Sequence, residues 1–262
     1  MRPRAADALP FVLPAAALVA LLVLPLVALS GQALGGGLGP YLTDPTVTAA
    51  VRLSLLTSAL STIVVVAVGT PLAYALVRWR FPGRTLVQLL VDLPIVLPPM
   101  VAGIALLQVF GRRGWLGDAM AAGGVFLPFT TAAVVVAQVF VAGPFYVRAA
   151  RLGFAAVDPA LREAAVVDGA SELQLFGHIM APAARTAMLG GLVLAWARAL
   201  GEFGATIFFA GNREGVTQTM PLAIFVGFES DLTVAVGLSF LLLVVSVGVL
   251  GVAWLLGDRL GE

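Results

Sequence analysis

The sequence predicts an all-α, polytopic membrane protein with about six transmembrane helices. Three observations carry that reading. The 262-residue chain is 60% hydrophobic and only 11% charged. About 20 consecutive apolar residues span a bilayer core, and such runs recur at roughly 11–30, 52–77, 86–110, 126–147, 187–209 and 232–256. The runs are long and continuous, whereas a membrane barrel would show short alternating segments.

What is missing narrows the chemistry. There are no cysteines, which excludes disulfides, thiol catalysis and iron–sulfur clusters. All 15 basic residues are arginine. Without lysine there is no G-x-x-x-x-G-K-[ST] phosphate loop and no Schiff-base chemistry. If ATP drives this protein, another chain must hydrolyse it. A net charge of +1 argues neither for nor against nucleic acid.

The first apolar run is longer than the ~7–15 residues of a signal-peptide core. That favours a retained helix, although "VALSGQ" offers a weak cleavage site. The second span opens at "TDPTVTAAVRLS", where Asp44 can cap a helix with Pro45 in its first turn. Gly69 and Pro71 are expected to bend that helix. The third span contains "PIVLPPMVAG". Pro94, Pro98 and Pro99 should break it within the membrane. Broken backbone is tolerated there only against protein or a wet cavity, so these prolines are candidates for a transport path.

Residues 148–186, between the fourth and fifth spans, form a polar excursion. Asp158 and Pro159 read as a cap and first-turn proline, and "ALREAAVV" as a helix ending at Gly169. Ser171 and Gln174 have capping-box spacing for a second helix, "ELQLFGHIMA", with Pro182 marking its end. The expected shape is helix, glycine turn, helix, lying beside the membrane. Neither helix is long enough to be stable alone, so a docking partner is expected. His178, the one histidine, reads as a helix-surface residue.

The fifth span carries "AWARALGEFGA". At ~1.5 Å per residue Arg198 lies about 16 Å deep, near mid-bilayer, where a charge needs a partner or a watery cavity. Glu202 follows at i+4. The pair either neutralises itself and holds an interface, or lines an anion path. Gly201 and Gly204 permit close helix approach beside it.

Arginine counts orient the chain. With the N-terminus inside, Arg2, Arg4, Arg78, Arg80, Arg84, Arg148, Arg151, Arg162, Arg185 and Arg259 are cytoplasmic. Arg52, Arg112, Arg113 and Arg213 are then outside, so both termini are expected in the cytoplasm.

The excursion also carries a resemblance. Glu163-Ala164-Ala165, three residues, Gly169, nine residues, Ile179, two residues and Pro182 resemble the EAA loop of bacterial ABC importer permeases. The family usually has leucine before that proline, and this chain has Ala181. "FPGR", "LPPMVAGIALLQVFGRRGWLG", "ARALGEFGATIFFAGN" and "TQTMPLAIF" extend the resemblance over roughly 44–256, towards molybdate, tungstate and sulfate permeases. It implies a type I importer permease fold. Residues 1–43 would supply a peripheral helix and outer loop, 44–256 the transmembrane domain with its coupling loop at 158–182, and 257–262 a short tail with no appended ATPase. It implies a homodimer in a bacterial or archaeal cytoplasmic membrane, in contact with lipid. A separate ATPase would carry ATP and Mg below, and a substrate-binding protein would dock outside. No cofactor on this chain and no nucleic acid partner are expected. Molybdate or tungstate is the implied cargo, with sulfate or thiosulfate the alternative. From another class, an ion-coupled transporter would use Asp92, Arg198 and Glu202 as a relay, but no inverted repeat supports it. An intramembrane enzyme would lack a nucleophile–histidine set and a metal cluster.

Overall fold

The computed structural model describes residues 5–37 and 43–261. Arg2 and Arg4, used in the orientation count, lie outside the described residues. The chain runs through α1 (Ala5–Gly35), α2 (Pro45–Arg78), α3 (Arg84–Val96), α4 (Pro99–Phe110), α5 (Gly117–Ala122) and α6 (Thr131–Ala155). It continues through α7 (Pro159–Val167), α8 (Glu172–Leu175), a π-helical turn (Phe176–Met180), α9 (Ala181–Leu200), α10 (Gly204–Phe209), α11 (Met220–Ser230) and α12 (Leu232–Gly261). No strand is present among the described residues.

Among the described residues, five helical stretches are long and apolar enough to cross a membrane: Pro10–Gly35, Pro45–Arg78, Thr131–Ala155, Glu172–Leu200 and Leu232–Gly251. The remaining expected span is two helices in series, α3 and α4. Its break falls at Leu97–Pro98, with Pro99 in the first turn of α4, where its missing N–H costs nothing. Pro94 takes no part in the break and sits inside α3. The fifth expected span, 187–209, is also interrupted. α9 stops at Leu200 and α10 starts at Gly204.

α6 is the centre of the bundle, with α2 and α9 packed along it. Small residues make the α6–α9 approach close. A Cβ on Gly191 would meet the Ala149 methyl at 2.6 Å, and one on Gly153 the Ala187 methyl at 2.7 Å. On the other side Gly69 of α2 faces Tyr146 and Val147, and the Thr70 and Tyr146 hydroxyls pair at 2.6 Å. α2 stays helical through Pro71. One apolar core gathers Tyr74, Leu76, Tyr146, Phe154, Leu175 and Met180 at the end of the bundle nearest α7. A second, around Leu106, Val134, Val141 and Phe209, lies where α4 and α10 meet α6. α1 is different: its apolar window has no buried residues.

Candidate coupling hairpin and the crossing of the broken helices

Local chemistry shapes the excursion after α6. The Asp158 side chain accepts from the Ala160 N–H at 2.9 Å, and Pro159 occupies the first turn of α7. Gly169 turns the chain with φ 81°, a conformation glycine adopts without a Cβ clash. At α8 the capping box is complete: the Ser171 hydroxyl accepts from the Gln174 N–H at 3.3 Å, and the Gln174 side-chain Oε1 accepts from the Ser171 N–H at 2.8 Å.

The second helix does not end at Pro182. α8 passes into the π-helical turn Phe176–Met180 and on into α9, an unbroken helical run from Glu172 to Leu200. The wider π turn just before Pro182 takes up the hydrogen-bond register that its missing N–H would otherwise interrupt. The hairpin's second limb is therefore the first part of a membrane helix, and not a separate knob beside it.

The residues of the EAA pattern divide by face. Glu163, Ala164, Gly169 and Pro182 are exposed. Ala165 and Ile179 are half-buried and pack on the bundle's own core. Large apolar groups are nevertheless left bare on the hairpin: Val167 is 85% and Leu173 84% exposed, and Leu161 and Val166 are also open. A soluble tip has no reason to show these to water unless a partner covers them. His178 is exposed, with its Nδ1 3.1 Å from the Gln174 carbonyl of the preceding turn.

One clamp was not legible in the sequence. Arg78, at the end of α2, donates to Glu172 from Nη2 at 2.7 Å and from Nε at 3.1 Å. Tyr74 donates to the other Glu172 oxygen at 2.8 Å. The Tyr74 ring makes edge contacts with Phe154, Phe176 and Trp79. Glu172 opens a 29-residue helix, longer than the ~20 residues a bilayer needs, and lies exposed at its hairpin end. Arg78 and Glu172 stand 94 residues apart, so no local pattern points to the pair.

Of the candidate path residues, Pro99 and Gly204 meet where the two helix breaks cross, with Arg198 and Glu202 at the second break. A Cβ on Gly204 would come 2.8 Å from the Pro99 Cβ, and one on Gly103 2.7 Å from the Ala205 carbonyl oxygen. α4 and α10 thus cross at backbone contact. Gly201 contributes nothing to that approach, since a Cβ there would meet only the Ala197 carbonyl of its own helix. Arg198 and Glu202 form an i,i+4 ion pair at 2.6 Å. The Glu202 side chain is fully buried and also accepts from the Ala205 N–H at 2.7 Å, so it caps α10 across the break. Arg198 remains partly exposed. Asp92 lies 3.6 Å from Arg151 at the far end of α6, so of the relay's two acids Asp92 is committed elsewhere and only Glu202 pairs with Arg198.

Residues 65–259 match the family described as "Binding-protein-dependent transport system inner membrane component". This chain belongs to that family. It is a multi-pass inner-membrane transport component. It is 41% identical over 236 residues to the molybdenum transport system permease protein ModB of Mycobacterium tuberculosis, covering 89% of each chain. It is 37% identical over 212 residues to the sulfate transport system permease protein CysT of Escherichia coli, covering 80% of this chain and 76% of the relative. Its fold is that of a bacterial ABC transporter involved in import of the acidic polysaccharide alginate, with a TM-score of 0.78, 17% identity and 98% of each chain covered. The type I importer fold expected from the EAA loop is the one observed.

Proposed function

We propose that the chain is the permease subunit of an ABC importer for a tetrahedral oxyanion, with molybdate (or tungstate) as the cargo. The structural observation that supports this is the continuity of the helix Glu172–Leu200. One end of it is the exposed hairpin. The other end stops at the Arg198–Glu202 pair, beside the crossing of Pro99 and Gly204. A motor that grips the hairpin therefore holds a lever whose far end is the break. Substrate identity comes from the 41% identity to a molybdenum permease.

Two copies pair about the path. ATPase subunits carrying ATP and Mg take the hairpin from the cytoplasm, through exposed Glu163, Ala164, Gly169 and Pro182 and the bare apolar groups Val167 and Leu173. Ala165 and Ile179 serve from behind by seating the hairpin on the bundle. A substrate-binding protein delivers the anion on the opposite face. Arg198 and Glu202 act at the path chiefly as a structural pair, and Pro98, Pro99 and Gly204 fix the crossing through which the path is gated. Pro94 packs within α3.

The test is reconstitution with the ATPase and binding protein, followed by ATPase stimulation across molybdate, tungstate, sulfate and phosphate. Stimulation by molybdate or tungstate supports the reading. Stimulation by sulfate alone moves the chain to the sulfate branch, which the 37% identity to CysT favours as the second reading. No stimulation by any oxyanion overturns both.

A further inference from the structure

At the end of α6 away from the hairpin, the turn after α4, the segment before α6 and the loop before α11 line a half-open cavity of about 600 Å³. Its wall holds three arginines, Arg112, Arg113 and Arg213, together with Phe126, Phe129 and Thr130, and no carboxylate. Among the described residues no acid lies within 4.0 Å of any of the three guanidinium groups. Three like charges around one concave space repel one another, and the concave wall focuses their field. An anion in that space removes the cost.

The walls are built rather than loose. Arg112 lies over the Phe126 ring, 5.5 Å from its centroid. The Arg113 turn folds back on α4 through Trp115 N–H to the Gln108 carbonyl and Leu116 N–H to the Val109 carbonyl. The Arg213 carbonyl accepts from Val216, Thr217 and Gln218, and its N–H donates to the Thr217 hydroxyl at 2.8 Å. Thr131 of α6 ties this loop down by donating to the Val216 carbonyl at 2.8 Å. Phe129, on the cavity wall, has φ 63°, a strained conformation for a bulky aromatic residue. Such strain persists only where its surroundings impose it, and it concentrates at ligand sites. Here Phe129 is held by its N–H to the Phe209 carbonyl at 3.3 Å.

We propose that this cavity is an oxyanion-capture site of the permease itself, in which Arg112, Arg113 and Arg213 hold a tetrahedral dianion between its arrival and its entry to the path. This rests on the importer reading above. Guanidinium groups suit the task because each presents paired N–H donors to the edge of an oxyanion. Their exposure suits it too: hydrated, screened arginines give a weak site that an ion can leave. A substrate-binding protein requires an acceptor of that kind, since tight binding at the mouth would trap the cargo.

The experiment uses the importer complex in nanodiscs, with and without its binding protein, and equilibrium binding of radiolabelled molybdate. Without the binding protein, wild type should bind molybdate saturably, and more weakly at high salt, because exposed charges are screened within ~10 Å at 0.1 M. Arg112→Gln, Arg113→Gln and Arg213→Gln should each weaken binding about threefold, the range of an exposed charge pair. The triple variant should lose it, whereas Arg213→Lys should fall between wild type and Arg213→Gln, because the charge is kept but the paired donors are lost. The ATPase is common to all samples, so these differences belong to the permease. With the binding protein present, the glutamine variants should raise the molybdate concentration needed for uptake while the binding protein docks as before. Absence of saturable binding in wild type, or unchanged binding in the triple variant, overturns the proposal. So does loss of binding-protein association with molybdate binding intact, which would make the arginines a grip for an acidic protein face. Binding is read separately from transport, so a complex that moves no oxyanion would contradict the importer reading alone.

Discussion

Gly204 lies against Pro99: a methyl group on the glycine would come 2.8 Å from the proline Cβ and 3.1 Å from the Met100 nitrogen. Neither neighbour can swing away, because one is a ring locked into the first turn of α4 and the other is backbone. Gly204→Val should therefore cost about 1–3 kcal/mol as an overpacked contact, lowering thermal stability in detergent and impairing transport. Gly201→Ala, three residues earlier, meets only the Ala197 carbonyl at 3.5 Å and should leave both unchanged. Equal behaviour of the two variants would remove the crossing from the reading.

Glu202 has two tasks, neutralising Arg198 and capping α10 at Ala205. Removing one partner of a buried pair costs about 3–5 kcal/mol when the other charge stays buried. Arg198→Gln leaves a fully buried carboxylate. Glu202→Gln leaves a partly exposed arginine and can still accept from Ala205. Arg198→Gln should thus be the more damaging of the two, in stability as well as in uptake. The exchange Arg198→Glu/Glu202→Arg should restore neither, since arginine has no acceptor for the Ala205 N–H. Normal uptake by the exchanged protein would show that the charges act only on each other.

The clamp of Arg78 and Tyr74 on Glu172 fixes the hairpin to α2. The ion pair is substantially exposed, with side-chain accessibilities of 31% and 46%, so its contribution to global stability is small, about 0–1 kcal/mol. Its local effect should be larger. Glu172→Gln should speed amide exchange at residues 170–180 while shifting the melting temperature little. Unaltered exchange there would mean that Phe154 and Phe176 hold the hairpin without the clamp.

Much of the fold was legible because its signals are local. Asp44, Asp158, Ser171 with Gln174, and Gly169 each do at their own position what their spacing announces. Membrane helices announce themselves by length. The failures involve prolines and contacts distant in sequence. Pro94 and Pro182 both look like helix breaks, yet both lie within continuous helix. At Pro182 a π turn absorbs the lost hydrogen bond. The break at Gly201–Phe203 gave no proline signal at all, and buried Glu202 caps α10 across it. The Arg78–Glu172 clamp and the three-arginine cavity assemble residues from distant segments, which no window along the chain can join.

Orientation is open to direct test, because the natural chain has no cysteine. Leu173 is 84% exposed on the hairpin, whereas its near neighbour Leu175 is buried. Leu173→Cys should react with impermeant maleimide only from the cytoplasm. Glu214→Cys, exposed near the arginine cavity, should react only from outside. Labelling of position 173 in intact cells would invert the topology.

The measurement that bears most directly on the proposed coupling is ATP-driven molybdate uptake into proteoliposomes containing the permease, its ATPase and its binding protein, compared between wild type and Gly169→Pro. Gly169 holds φ 81°, and proline is locked near −65°, so the substitution must unseat α7 from the helix that runs to Arg198. Wild type should take up molybdate in step with hydrolysis. The variant should hydrolyse ATP without uptake or fail to retain the ATPase. Wild-type uptake and hydrolysis in Gly169→Pro would contradict the hairpin's role as the coupling element.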